Sequence, residues 1–338
     1  MIQSLPLVTL HLTDRCNSRC VTCDYWRHGR TDITRESVER LLPSLESLQT
    51  HEVLISGGEP LVHPEWDAIA ERLRDSGMRL WLLTSGLALV KHARRVAELC
   101  EAVTVSVDGA DRETYEAIRG LDALDKVREG VRAAVAQGAR VTLRVTLQRA
   151  NYRQLPEFVA MARADGAAGI SFLAVDVSNP HAFARADPAP LPLALEPRDL
   201  PEFEHAIQRL ERDWAAEFQS GFIDESPAKL RRMHQYFAAL CGLAPLPPVQ
   251  CNAPEFSAVI DARGRVHPCF FIPGPADLPV IGSPRSFADV LNSQAMSSLR
   301  SEIRTGARPE CTRCVCSLWR DPKNLGVLIP DRRDTFAA

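Results

Sequence analysis

Over residues 1–175, short apolar runs alternate with longer stretches in which apolar positions recur at helical spacing. The runs "LVTLHL" (7–12), "EVLIS" (52–56), "RLWLLT" (79–84), "AVTVSV" (102–107), "RVTLRVTL" (140–147) and "GISFLAV" (169–175) read as strands. Helical periodicity fills 34–48, 65–76, 88–98, 123–138 and 152–166. The first of these has Thr34 at an N-cap position, and the fourth is closed by Gly138. Parallel neighbours need a long crossover, usually a helix, so this alternation predicts a parallel sheet with helices outside it. Polar and glycine-rich segments follow the strands: the loop "DRCNSRCVTCDYW", then "GGEP", "TSG" and "SVDG". In such folds ligands bind at the carboxyl ends of the strands, so these segments should converge on one rim.

Beyond 176 the pattern changes. Residues 178–201 are rich in Pro and Ala and read as a linker or an irregular loop on the substrate side. Helices are expected at 199–218 and 226–241, and 254–271 reads as a hairpin turning at "DARG". The resulting division is 1–178 for the α/β core, 179–250 for linker and helices, and 251–338 for a small cysteine-rich α+β unit.

Composition sharpens the picture. The chain has 338 residues, 45% hydrophobic and 25% charged, as in globular proteins with a full core. A net charge of −3 supplies no basic field for nucleic acid. No apolar run reaches the roughly 20 residues of a membrane span, and the first residues lack a signal-peptide layout. The expected location is therefore cytoplasmic. There, ten cysteines indicate metal or redox chemistry rather than a disulfide framework.

Cys16, Cys20 and Cys23 follow the spacing C-x3-C-x2-C on the loop after the first strand. A structural zinc site normally takes four ligands, and His28 is the candidate fourth here. Three thiolates instead suit a [4Fe–4S] cluster with one iron left open. Together with "GGEP" after the second strand, "CNSRCVTC" resembles the radical S-adenosylmethionine (radical SAM) enzymes, a resemblance covering at least residues 5–175. It implies a partial (β/α)6 TIM-type barrel. It also implies that the open iron chelates S-adenosylmethionine, whose reductive cleavage gives a 5′-deoxyadenosyl radical that abstracts hydrogen from the substrate.

By the same resemblance, Gly57 and Gly58 let backbone approach the ligand, and Glu59, before Pro60, accepts from the methionine ammonium. Thr84 and Ser85 stand at the end of strand three. Ser106 and Asp108 sit where the family contacts ribose or the methionine carboxylate, with helix capping as their alternative. Arg144 is a partner for that carboxylate, with a structural ion pair as its alternative. Members often carry an aromatic residue where this chain has Thr22, whose backbone is expected to meet the adenine. Tyr25 and Trp26 are read as packing the loop.

Cys251, Cys269, Cys311, Cys314 and Cys316 form a second set. C-x12-G-x4-C followed by C-x2-C resembles the twitch domain, the shortened form of the SPASM extension. That resemblance assigns Cys251, Cys269, Cys311 and Cys314 to an auxiliary [4Fe–4S] cluster, with Cys316 as an alternative ligand; zinc remains open for the same four residues. Cys100 and Cys241 read as core.

The implied cofactors are two [4Fe–4S] clusters and S-adenosylmethionine, with a flavodoxin- or ferredoxin-type electron donor. An auxiliary cluster suits a substrate radical that must lose an electron. The expected reaction is therefore dehydrogenation of a small-molecule alcohol, such as an aminoglycoside or aminocyclitol intermediate. A peptide maturase is the rival, although Cys16 leaves little room ahead of it for a leader-binding module. A non-catalytic iron–sulfur or zinc protein is the third reading. Asp176 is the candidate general base, and His181 and Trp319, in "SNPHAF" and "WRDPKN", are candidate substrate contacts.

Overall fold

The computed structural model describes residues 1–179, 181–185, 193–275, 279–281 and 285–321. Its centre is an eight-stranded sheet in the order β6-β5-β4-β3-β2-β1-β7-β8. The first six strands are β1 (Leu7–Thr13), β2 (Glu52–Gly57), β3 (Arg79–Thr84), β4 (Ala102–Ser106), β5 (Val141–Leu147) and β6 (Gly169–Ala174). All are parallel to their neighbours, as the crossover pattern requires. Between them run α1 (Tyr25–His28), α2 (Arg35–Ser47), α3 (Trp66–Asp75), α4 (Leu89–Leu99), α5 (Arg112–Arg119), α6 (Leu124–Ala136) and α7 (Leu155–Ala164). Thr34 caps α2 as expected, its hydroxyl accepting from the Ser37 amide at 3.1 Å.

Helix α5 was not foreseen. Its signals are nevertheless in the sequence: Asp111 accepts from the Thr114 amide at 2.8 Å as N-cap, and Gly120 follows the helix with φ 73°.

The expected hairpin exists as β7 (Ser257–Ile260) and β8 (Val266–His267). Its turn is held by Asp261 Oδ1, which accepts from the amides of Arg263 and Arg265, each at 2.9 Å. The hairpin is not a sheet of its own, however. Strand β7 pairs in parallel with β1, from Leu7↔Ser257 to Leu10↔Ile260, and so extends the barrel sheet. Every residue of β1 is buried, and an unpaired edge there would leave buried amides and carbonyls without partners.

The opposite edge is covered too. After α8 (Leu200–Asp213) and α9 (Ala215–Gln219), the chain pairs with β6: Ile170 donates to Phe222 O at 2.7 Å, and Asp224 donates to Ile170 O at 2.9 Å. Helix α10 (Pro227–Leu240) follows. The C-terminal region adds the short helices α11 (Ala253–Phe256), α12 (Phe287–Leu291), α13 (Gln294–Arg304) and α14 (Pro309–Thr312).

The two sheet faces differ in character. On β5, Val141, Leu143, Val145 and Leu147 are buried in the core under the helices, while Thr142, Arg144 and Thr146 alternate onto the concave face. Register aligns Ser106, Arg144 and Ser171 across that face. Its apolar floor is a separate small cluster of Leu54, Trp81 and Ala102, with Leu83 against it. Among the described residues, no helix is long and apolar enough to cross a membrane.

Candidate active site

The cysteine loop leaves β1 and is pinned on three sides. On the first, the amides of Gly58 and Glu59 donate to the carbonyls of Thr13 and Arg15, both at 2.8 Å. A Cβ on Gly57 would stand 2.2 Å from Thr13 O, and one on Gly58 2.2 Å from Arg15 O. The room these glycines leave on the Cβ side is therefore filled by the cysteine loop. On the second side, the amides of Arg19 and Val21 donate to the carbonyls of Arg119 and Ile118 at the end of α5, at 3.0 and 2.9 Å. On the third, Arg185 Nε donates to Thr22 O at 2.8 Å, and the Asp24 amide donates to Phe183 O at 2.9 Å. The Thr22 backbone, expected to meet the adenine, meets a guanidinium here.

Cys16, Cys20 and Cys23 turn inward from this frame. The Ser18 amide lies 3.4 Å from Cys16 Sγ, and the Ser18 hydroxyl 3.3 Å from Cys20 Sγ. Burial pushes the Cys16 thiol up to about 11. It pushes Cys23 further, with the charges of Cys20 and Cys16 adding to the rise. Cys20 is buried and Cys16 and Cys23 are half-buried; three soft donors on one loop, with the thiolates of Cys16 and Cys23 disfavoured, suit a cationic iron–sulfur centre, whose charge reverses that bias. His28, the candidate fourth ligand of a zinc site, is exposed. Tyr25 packs edge-on to His11, with ring centroids 6.2 Å apart, and Trp26 Nε1 reaches Cys20 O at 3.4 Å, so both aromatics pack the loop.

Arg119 is the unforeseen cation of this site. It is 8% exposed and donates to Asp108 Oδ2 at 3.0 Å. Burial works against its charge, but Cys20, Asp108, Tyr115 and Cys16 outweigh burial and hold the guanidinium above its usual range. Asp108 Oδ1 accepts from the Thr146 amide at 2.7 Å. The Asp108 carboxylate thus secures Arg119 and β5 with both oxygens, and it does not cap the following helix, a role taken by Asp111.

Glu59 is fully buried and gathers the rim. Its Oε1 accepts from the Leu61 amide (3.1 Å) and the Thr84 hydroxyl (2.7 Å), and its Oε2 from the Ser85 amide (2.6 Å). Pro60 starts the 3-10 turn that Glu59 caps. The Ser85 hydroxyl reaches Asn17 Oδ1 at 3.2 Å, tying strand three to the cysteine loop. Ser106 closes β4 beside Arg144, whose Nε donates to Ser171 Oγ at 2.9 Å.

The second cysteine set lies before α11 (Cys251), after β8 (Cys269) and in and after α14 (Cys311, Cys314 and Cys316). Burial raises Cys269 to about 12 and Cys311 to about 11; Cys251 and Cys311 add to the first, and Cys251 to the second. Burial likewise raises Cys314, reinforced by Cys316, Cys269 and Cys251. The four residues assigned by resemblance thus act on one another electrostatically, although among the described residues no three His, Cys, Asp or Glu side chains are gathered closely enough to hold a metal as they stand. Cys316 differs: apart from Cys251, the charges that act on it are Arg144 and Lys229. Asn252, unforeseen, docks this region. Its side chain exchanges hydrogen bonds with the Arg320 backbone at 2.7 and 2.8 Å, holding Cys251 near the chain that follows Cys316. Cys100 is core; Cys241 is half-buried, its thiol donating to Leu195 O at 3.3 Å.

Asp176 is buried, and its Oδ1 accepts from the Ser178 and Asn179 amides at 2.8 and 2.9 Å and from the Ser178 hydroxyl at 3.2 Å. That geometry organises a turn, so the general-base expectation loses one carboxylate oxygen to structure. Trp319 is 52% exposed and His181 is exposed. Pro180 of "SNPHAF" and Pro322, Lys323 and Asn324 of "WRDPKN" lie outside the described residues.

His11, also unforeseen, occupies the concave face of β1 opposite Ser56. Its ring packs against those of Tyr25 and Phe270, with centroids 6.2 and 5.8 Å away. Burial, aided by the charge of His267 and opposed by Asp261, lowers its pKa to about 4.

A family profile described as the radical SAM superfamily matches residues 10–162, and one described as an iron–sulfur cluster-binding domain matches 251–315. Pre-heme d1 synthase of Dinoroseobacter shibae is 33% identical over 168 residues, 48% of this chain and 41% of that protein. Fe-coproporphyrin III synthase of Methanosarcina barkeri is 31% identical over 157 residues, covering 45% and 39%. GTP 3',8-cyclase of Klebsiella pneumoniae is 30% identical over 162 residues, covering 45% and 49%, so the match spans less than half of each relative. Among solved structures, Streptococcus suis SuiB bound to S-adenosylmethionine superposes with TM-score 0.66 at 13% identity, covering 94% of this chain and 73% of that one. AnSMEcpe with bound AdoMet gives TM-score 0.66 at 17% identity, covering 91% and 87%. With two cysteine sets that fit iron–sulfur centres and profiles spanning both, the chain belongs to the radical SAM superfamily, with S-adenosylmethionine and [4Fe–4S] clusters as cofactors and a SPASM-type cluster-binding domain at its C-terminal end.

Proposed function

We propose that this enzyme oxidises a small-molecule secondary alcohol, with Cys16, Cys20 and Cys23 holding the cluster that binds S-adenosylmethionine and Cys251, Cys269, Cys311 and Cys314 holding an auxiliary cluster. When bound, the sulfonium cofactor supplies hydrogen-atom abstraction after one-electron reduction. Glu59, fixed by Thr84 and Ser85, presents its carboxylate toward the cofactor's ammonium, and Arg119 balances thiolate charge beside the first cluster. Arg144, at the level of Ser106, offers a guanidinium toward the cofactor carboxylate. The core is taken as 1–178, with the auxiliary unit from 251 onward and a flavodoxin- or ferredoxin-type protein as electron donor.

The observation that carries this reading is the pairing of β7 with β1. It brings the hairpin that leads to Cys269 onto the sheet whose first strand leads to Cys16, with Tyr25 from the one loop and Phe270 beside Cys269 each packing against His11. An auxiliary cluster on this segment would offer an electron acceptor to a substrate radical formed at the first site, which suits net two-electron oxidation. The test is anaerobic reconstitution with S-adenosylmethionine and dithionite, followed by incubation with aminocyclitols and with peptides. The expected result is 5′-deoxyadenosine together with a product two mass units lighter than the alcohol. Modification of a peptide, with no alcohol oxidised, overturns the substrate class. Absence of 5′-deoxyadenosine overturns the cofactor roles assigned to these residues.

A further inference from the structure

Several buried side-chain polar atoms among the described residues have no hydrogen-bond partner, and one of them stands on the concave face of β1. His11 is 6% exposed, and its Nε2 is buried without a hydrogen-bond partner. The polar groups closest in charge terms are engaged elsewhere. Asp261 Oδ2 accepts from Arg265 Nε at 2.7 Å and from His267 Nε2 at 3.2 Å, while its Oδ1 serves the turn amides. His267 Nδ1 accepts from the Gly274 amide at 3.0 Å, which leaves the proton of that ring on Nε2, directed at Asp261. Buried polar side-chain atoms in native proteins are almost always paired, because leaving one unpaired costs its full desolvation. An orphan on the concave face, between the segments that carry the two cysteine sets, is where a substrate would supply the missing partner.

We propose that His11 is a substrate-contacting residue whose Nε2 hydrogen-bonds the reacting hydroxyl of a secondary alcohol bound on the concave face beside Tyr25 and Phe270. The inference rests on the alcohol-oxidation reading. The ring is neutral at physiological pH, so it offers a lone pair or an N–H without carrying a charge into an aromatic sleeve. The ring contacts with Tyr25 and Phe270 hold the imidazole in place, so the contact is preorganised. Asp176, the carboxylate expected to serve the substrate, has Oδ1 filled by its own turn, whereas His11 Nε2 is wholly uncommitted.

The experiment compares the holoenzyme with His11→Phe and His11→Gln, using 2-deoxystreptamine as the alcohol probe. His11→Phe keeps a ring in the sleeve and removes the orphan. Its iron and sulfide content should match the wild type, and its thermal midpoint should rise by about 2 °C. With the probe, kcat/KM should fall by about tenfold, the equivalent of one hydrogen bond, mostly through KM. His11→Gln, whose amide reaches a similar position, should recover part of that loss. A lower midpoint or lost iron in His11→Phe shows that the nitrogen has a structural partner and overturns the proposal. So does unchanged kcat/KM in His11→Phe when the wild type turns the probe over. A wild type that forms 5′-deoxyadenosine but oxidises no alcohol overturns the alcohol reading, and the contact falls with it.

Discussion

Replacing Arg119 with Met isolates the charge that supports the cysteine loop. The variant keeps the Arg119 carbonyl, and with it the bond from the Arg19 amide, while the guanidinium is lost. The side chains of Arg119 and Asp108 are 10% and 3% exposed, so solvent cannot stand in for the missing partner. Asp108 would keep the Thr146 amide and carry an uncompensated buried charge. Removing one member of a buried pair costs about 3–5 kcal/mol. For a chain of this size that is a fall in thermal midpoint on the order of 10 °C. The assay is urea and thermal unfolding of the reconstituted protein, run as a cycle with Asp108→Asn and the double variant. Asp108→Asn removes the charge that Arg119→Met strands, so the double variant should be more stable than the sum of the singles predicts. If Arg119→Met unfolds at the wild-type midpoint, or the cycle is additive within about 0.5 kcal/mol, the pair does not couple and Arg119 is not a structural counter-charge.

Gly58→Ala should fold its helices yet lose iron at the first site, because its Cβ would sit 2.2 Å from Arg15 O and push the cysteine loop away; normal iron content with unchanged circular dichroism would refute this. Cys16→Ala should abolish 5′-deoxyadenosine formation, measured by chromatography after dithionite reduction. Cys269→Ala should spare some uncoupled cofactor cleavage while stopping product, and intact turnover would remove the auxiliary site from electron transfer. For pH, the folded state holds His11 near 4 against 6.5 unfolded, so only the unfolded chain takes up the proton between those values. Wild-type stability is therefore complete above 6.5 and declines as pH falls toward 4, by at most about 3 kcal/mol. The stability gap between His11→Phe and wild type should widen in the variant's favour over that window, and a gap constant with pH would show that His11 is not buried neutral.

The six parallel strands were legible because each apolar run is bounded by turn residues and separated by helical periodicity. The three-cysteine loop was legible because its spacing has few other uses. Where the reading ran short, long-range packing decided. The hairpin at 257–267 is visible locally, but nothing local says that β7 lies beside β1, since that pairing joins residues some 250 apart in sequence. Arg119 could have been found. "DRETYEAIRG" carries an N-cap, an amphipathic turn and a C-terminal glycine, and placing that helix sets its last residue against the rim. Gly57 and Gly58 carried the right residue types for a close approach, but sequence cannot name what approaches: the structure shows the chain's own cysteine loop. His11 is the instructive case. A histidine inside a fully buried strand breaks the apolar pattern that predicted the strand, and such a break is tolerated where the fold holds something the core does not require. Cys314 and Cys316 stay together in the structure, the Cys316 amide lying 3.4 Å from Cys314 Sγ, so a reading that separates one as ligand from the other as spare needs more than their spacing.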